Sequence, residues 1–218
     1  MTTSARVIAF LARAFTVGVL ALVLSACSRT VTWEEEVPLN TGETIWIERS
    51  MPWEVRGSQG NPYDLGMRPT RLQTIRFKYR SKEYVYVGRA GITWIAVSPS
   101  TKEPVLVAPA SSFGWDSEHS YLCTVPHYVQ LVPDATGKQW TWPEHVEPWL
   151  FGLPANVMAV IPALKEHRQR RYTRADIALR DGPSLALNPP AARIQPDYRE
   201  SGCLRKYGSR SHQPGDTR

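Results

Sequence analysis

Between Val31 and Val132 the chain repeats one device: a short run of β-branched and aromatic residues, a cluster of turn residues, then another run. Val31 to Val37 and Glu43 to Arg49 flank Asn40-Thr41-Gly42, whose chemistry suits a chain reversal, and together they predict a hairpin. In the second run Thr44, Trp46 and Glu48 alternate with Ile45 and Ile47, so one face can enter a core. Arg71 to Tyr79 alternates likewise, with Ile75, Phe77 and Tyr79 on one face, and returns as Tyr84 to Val87. Arg76 and Lys78 then fall on its outer face, where charge discourages edge-to-edge aggregation. Ile92–Val97, Pro104–Ala108, Tyr121–Val125 and Tyr128–Val132 continue the series, with Asp134 to Gly137 as a turn. The predicted fold class is mainly β: antiparallel hairpins or a meander forming a sandwich or a small barrel.

The remaining stretches fit around that body. Ser50 to Thr70 is rich in Gly, Pro, Asn and Ser without apolar periodicity, which predicts a long loop and a candidate contact surface. Leu150 to Ile161 is apolar but broken by Gly152 and Pro154, and is expected to be buried as a short strand or helical turn. Thr173-Arg-Ala-Asp176 has the form of a capping box and opens one short C-terminal helix, closed by Asp181-Gly182. From Pro183 to Arg218 the Pro- and Arg-rich tail lacks a core pattern and is expected to be largely disordered.

Residues 1–26 are expected to stand outside the β-rich domain. Arg6 and Arg13 precede the uncharged apolar run Ala14–Leu24, which is too short to span a bilayer and reads as the core of a signal peptide. Leu24-Ser25-Ala26-Cys27 follows directly. This segment resembles the lipobox of bacterial lipoproteins. The resemblance implies cleavage before Cys27, a diacylglycerol on its thiol and an N-acyl chain on the new amine. Two or three chains would make the attachment stable, since each buried methylene contributes about 0.8 kcal/mol and a single chain holds only marginally. Ser28 in place of an aspartate implies, by the enterobacterial pattern, an outer-membrane location facing the periplasm. The domain organisation read this way is a signal peptide over 1–26, one β-rich domain over 27–182, and the tail. The opening of the mature part, Trp33-Glu-Glu-Glu-Val-Pro-Leu-Asn-Thr-Gly-Glu-Thr44, also resembles a group of proteobacterial lipoproteins of unassigned activity, so no functional residue carries over from it.

Charge and cysteines agree with export. Of 26 basic and 20 acidic side chains, residues 1–26 hold only Arg6 and Arg13, which leaves 24 against 20 and a formal +4 in the mature chain. That excess gathers near the C-terminus, including the run Lys165–Arg174, and forms no groove signature, so nucleic acid is not an expected partner. The run Lys165–Arg174 could touch anionic lipid or simply be a solvated face. With Cys27 lipidated, Cys123 and Cys203 remain; an oxidising compartment allows them to pair, or to stay as free thiols or link two chains.

The richest local composition is Trp140-Thr-Trp142-Pro-Glu144-His145-Val-Glu147-Pro-Trp149. Aromatic platforms beside carboxylates are what a glycan site uses, and Trp140, Trp142, Glu144, Glu147 and Trp149 are the candidate glycan-binding residues. Held about 5–9.5 Å apart, the two carboxylates could serve glycoside cleavage. Glu144, His145 and Glu147 could alternatively ligate a metal, although they match no zinc spacing, or the tryptophans could be packing residues with solvated charges between them. Glu34, Glu35 and Glu36 cannot all converge on one cation, because consecutive strand residues point to opposite sides. No nucleophile elbow, Walker loop, dinucleotide fingerprint or His-Glu-x-x-His is present, and the histidines at 119, 127, 145, 167 and 212 form no constellation. The sequence therefore points to a lipid-anchored envelope protein without cofactor, acting by binding or as a structural module. Two alternatives stand beside that reading: a peptidoglycan- or glycan-binding module or glycan hydrolase, and an inhibitor or assembly partner of another envelope protein.

Overall fold

The computed structural model describes residues 28–58, 61–112, 119, 124–159, 161–162 and 171–199. Alternation builds the first sheet. Along β1 (Ser28–Pro38) Val31, Trp33, Glu35 and Val37 are buried while Thr30, Thr32 and Glu34 face water, the period of a pleated strand. The chain reverses at Asn40–Gly42, where Gly42 takes φ 85°, and returns as β2 (Thr44–Ser58), in register from Pro38 opposite Thr44 to Ser28 opposite Glu54. β3 (Asn61–Pro69) pairs with the far half of β2, and β4 (Gln73–Tyr79) pairs with its middle. β5 (Lys82–Gly88) closes a hairpin with β4. The outer edge of β1 gains a short parallel partner late in the chain, β10 (Arg171–Tyr172).

The second sheet is the meander β6 (Trp94–Val97), β7 (Pro104–Pro109), β8 (Tyr128–Pro133) and β9 (Trp140–Thr141). The two sheets meet through one core. Val37, Ile47, Ile75, Phe77, Tyr84 and Tyr86 come from the first, and Ile95, Val97, Leu106, Ala108, Val129 and Leu131 from the second. The architecture is mainly β and antiparallel, with two open sheets facing each other and no closed barrel. β6 and most of β7 are buried on both faces, because the back of the second sheet is covered in turn. There Trp94, Val105, Val107 and Tyr128 pack with Val146, Leu150, Ala155 and Ile194. Leu150 ends a 3-10 turn at Pro148–Leu150, and of the apolar stretch Leu150, Ala155, Val157 and Met158 are buried as expected while Gly152, Pro154 and Ala159 are exposed.

Three expectations change. Ser50–Thr70 is not a long loop: it is the second half of β2 and β3, with Val55 opposite Met67 and Gly57 opposite Leu65. The ladder satisfies the backbone there, so the arm has no need of the apolar period of a buried strand. The helix α1 (Arg174–Leu187) has the capping box, with Asp176 accepting from Thr173 N at 2.8 Å, but it continues through Gly182 and Pro183. Asp181 explains this, since its buried carboxylate accepts from Ala159 N and ties the helix to the body, and tertiary contacts override the local stop signal. Residues after Pro183 also pack as far as 199. α2 (Pro189–Ala192) leads to Ile194, whose carbonyl accepts from Gly152 N at 2.8 Å, and the Tyr198 ring lies 5.0 Å from that of Tyr128. Residues 200–218, Cys203 among them, lie outside the described residues, as do Cys27, Cys123, residues 121–123 of the expected Tyr121–Val125 strand, and positions 165–170 of the basic run. Among the described residues no helix is long and apolar enough to cross a membrane.

Candidate functional site

The Trp140–Trp149 segment leaves β9 and crosses the back of the second sheet, and its aromatic rings go to different places. Trp140 is turned inward: its Nε1 donates to Val85 O at 2.8 Å, and its ring stands edge-on to Tyr86 with centroids 6.2 Å apart. It joins the free side of β5 to the second sheet. Trp149 is half-buried against the rear core, and its Nε1 donates to the Glu147 carboxylate. Glu147 is further held by its backbone N–H, which donates to Gln130 Oε1 at 2.9 Å. Trp142 is 45% exposed, with His119 edge-on at 5.0 Å. Glu144 and His145 stand in solvent, 4.0 Å from each other. The five candidate glycan residues therefore divide into a packing pair, Trp140 and Trp149, a carboxylate engaged by one of them, and an exposed set of Trp142 and Glu144. Among the described residues no three His, Cys, Asp or Glu side chains come together to hold a metal ion, so Glu144, His145 and Glu147 do not form a metal site.

A second polar cluster lies in the core. Glu35, fully buried, accepts from Arg49 Nη1 at 2.8 Å and from Trp33 Nε1 at 2.5 Å through one oxygen, and from Met158 N at 2.8 Å through the other. Arg49 Nη1 also donates to Met158 O at 2.7 Å, and Nη2 to Gln73 Oε1 at 2.8 Å. Gln73 passes the chain on to Ala90 O. The guanidinium lies 5.2 Å from the Trp33 ring centroid. Buried charges are tolerated only when paired and hydrogen-bonded, and here one ion pair fastens the 156–159 segment and the turn after β5 onto the first sheet. A recess of about 240 Å³ reaches Arg49 between Thr93, Ser111, Ser112, Asn188 and Tyr198. The glutamate triplet is thus divided as a strand requires, but Glu35 is a core residue and not part of a solvated face. Extended period-two reading carries the signal: Ile45, Ile47, Arg49 and Met51 share a face, as do Trp33, Glu35 and Val37.

Two asparagines finish the outer edge of β6. Asn156 Oδ1 accepts from Ile95 N at 2.9 Å, and its Nδ2 donates to Ile95 O at 2.7 Å and to Pro38 O at 2.8 Å. Asn40 does the same for Val97, donating to its carbonyl at 3.0 Å and accepting from its N–H at 2.7 Å. Side-chain amides thereby replace a neighbouring strand, which leaves this edge no free ladder.

The two sheets are also linked by Glu103. It accepts from the Tyr84 hydroxyl and from Lys82 Nζ at 3.2 Å, and these contacts hold its carboxyl below the usual range, the tyrosine bond being the larger cause. Burial and the same bond push the Tyr84 hydroxyl well above its ordinary value.

No family model, no curated protein and no solved structure matches this chain. Function has to be argued from the residues themselves.

Proposed function

We propose that the mature protein is a lipid-anchored envelope protein, held at the outer membrane facing the periplasm by acyl chains on Cys27, and that it acts by binding or as a structural module and not by catalysis. The feature that carries this reading lies in the sequence: the uncharged apolar run Ala14–Leu24 leads directly into Leu24-Ser25-Ala26-Cys27. The non-catalytic part is supported by the use of the polar groups. Glu35, Arg49 and Gln73 are consumed in holding segments together, and Glu147 is bonded within its own segment. The test is intact mass and membrane partition of wild type and Cys27→Ala. A chain beginning at an acylated Cys27, released from the membrane by the substitution, is expected. A full-length or freely soluble wild type would overturn the reading.

A second reading, a glycan-binding face, is favoured by one observation, the exposure of Trp142 alongside Glu144 and His145. Pull-down with purified peptidoglycan, comparing wild type with Trp142→Ala, tests it: equal recovery would remove this reading.

A further inference from the structure

The strand alternation of β2 outruns the layer that covers it. Ile47, Arg49 and Met51 are buried, Trp53 is half-buried, and farther along the same face Val55 and, on β3, Leu65 emerge into solvent, with Met67 half-buried between them. In an antiparallel pair, residues opposite one another share a face, so Val55 with Met67, Gly57 with Leu65 and Trp53 with Pro69 form one surface of the β2–β3 arm. Val55 is 45% and Leu65 67% exposed. The other surface carries Glu54, Arg56 and Arg68, with Arg56 Nη2 2.7 Å from Glu54 Oε2. The arm is an amphipathic hairpin, apolar on one side and charged on the other.

Its place relative to the chain start selects what covers it. Ser28 is paired with Glu54, and the direction in which β1 points back from Ser28 is the direction in which β2 runs on from Glu54. One residue, Cys27, separates Ser28 from a cut before Cys27, so there is no tether to hold the body away from whatever Cys27 is attached to. Beyond the level of Ser28, β2 continues from Val55 to Ser58, about 13 Å at 3.3 Å per residue. Interfacial amphipathic segments bury their apolar face roughly 5–10 Å into the headgroup and acyl boundary, a depth the arm can reach. Arg29 is exposed at the same end, opposite Trp53, a cation suited to anionic headgroups.

We infer that the β2–β3 arm is a second membrane contact: its Val55–Leu65–Met67 face inserts into the phospholipid surface that carries the Cys27 anchor and fixes the sandwich at one orientation to the bilayer. This inference rests on the anchor reading given above. Full-length lipidated protein in vesicles of phosphatidylethanolamine and phosphatidylglycerol, carrying a photoreactive benzophenone side chain at Leu65 or at Thr41, tests both separately. Thr41 lies in the turn at the opposite end of β1, a strand of 11 residues and about 36 Å. Flotation with the vesicles, lost in Cys27→Ala, reports the anchor; phospholipid adducts detected by mass after illumination report the arm. The expected result is flotation with lipid adducts from position 65 and none from position 41. Flotation without lipid adducts at 65 would overturn the arm and leave the anchor standing, and so would crosslinks at 65 to a second copy or to an added envelope protein. Failure of the wild type to float would overturn both.

Discussion

Arg49 Nη1 and Glu35 Oε1 lie 2.8 Å apart with side chains 3% and 0% exposed, so neither charge can fall back on water if the other is removed. Replacing one partner leaves the other buried and uncompensated, at a cost of about 3–5 kcal/mol. Glu35→Ala and Arg49→Ala are each expected to lower the urea unfolding midpoint by that order. The double change Glu35→Leu with Arg49→Met is expected to recover much of the loss. Equal losses in single and double variants would show that the pair does not act as a unit.

The asparagine contacts at the edge of β6 can be weighed one at a time. Asn156→Ala strips partners from both backbone groups of the buried Ile95 and is expected to cost about 1–3 kcal/mol, the penalty of an unsatisfied buried group. Hydrogen exchange checks the mechanism: the Ile95 amide should lose protection in Asn156→Ala, and the Val97 amide in Asn40→Ala, each leaving the other unchanged.

Two glycines with positive φ make a controlled comparison. A Cβ on Gly42, at φ 85°, would meet nothing within 4 Å, so Gly42→Ala is expected to cost only the backbone term, roughly 1–2 kcal/mol. A Cβ on Gly137, at φ 74°, would lie 2.6 Å from Glu83 O, while the Gly137 carbonyl accepts from Val85 N. Gly137→Ala should therefore lower the melting temperature clearly more than Gly42→Ala, and the reverse order would refute the packing of this turn against β5.

Glu103 sets an acid limb. Its folded carboxyl is held below its unfolded value, so the stability it contributes is complete above the unfolded value and disappears as pH falls through the folded one. Glu103→Gln is expected to be less stable than wild type at neutral pH and equal to it once the pH is below the carboxylate range. Thermal melts of both proteins from neutral to acid pH read this directly.

The tryptophans separate by role. Trp140→Ala removes a ring packed on Tyr84 and Tyr86 and should cost about 3–5 kcal/mol, whereas Trp142→Ala should change stability by less than about 0.5 kcal/mol. Denaturant unfolding of the pair checks both, and the unperturbed fold of Trp142→Ala is what makes it the right variant for the peptidoglycan pull-down.

Most of the strands were legible because one face of each is apolar. Ile75, Phe77 and Tyr79 alternate in sequence and are buried together in the sandwich, and Asn40–Gly42 turns where its chemistry says it should. The arm from Val55 to Met67 was not legible, because Gly57 and Gly66 interrupt its alternation and its apolar face holds only a few residues. Nor was the division of the tryptophan segment. Composition brings Trp140, Trp142 and Trp149 within ten residues, but the direction of each ring depends on Val85, His119 and Glu147, contacts that reach as far as the other sheet. Glu35 and Arg49 were hidden by their own charge, since a carboxylate in a strand reads as solvated until its partner, diagonal to it across the strand pair, is noticed.

The backbone of Met158 serves both Glu35 and Arg49, and it lies 123 residues beyond Glu35 in the chain. Synthesis from the N-terminus therefore presents the first hairpin, in which Glu35 and Arg49 can already pair, long before Met158 is made. The early strands can pair, but the sandwich cannot close over them with Met158 still to come. A chain that ends before Met158 would leave Glu35 Oε2 without its backbone donor and Arg49 without its Met158 carbonyl acceptor. The last strut of the buried pair thus comes from far along the chain.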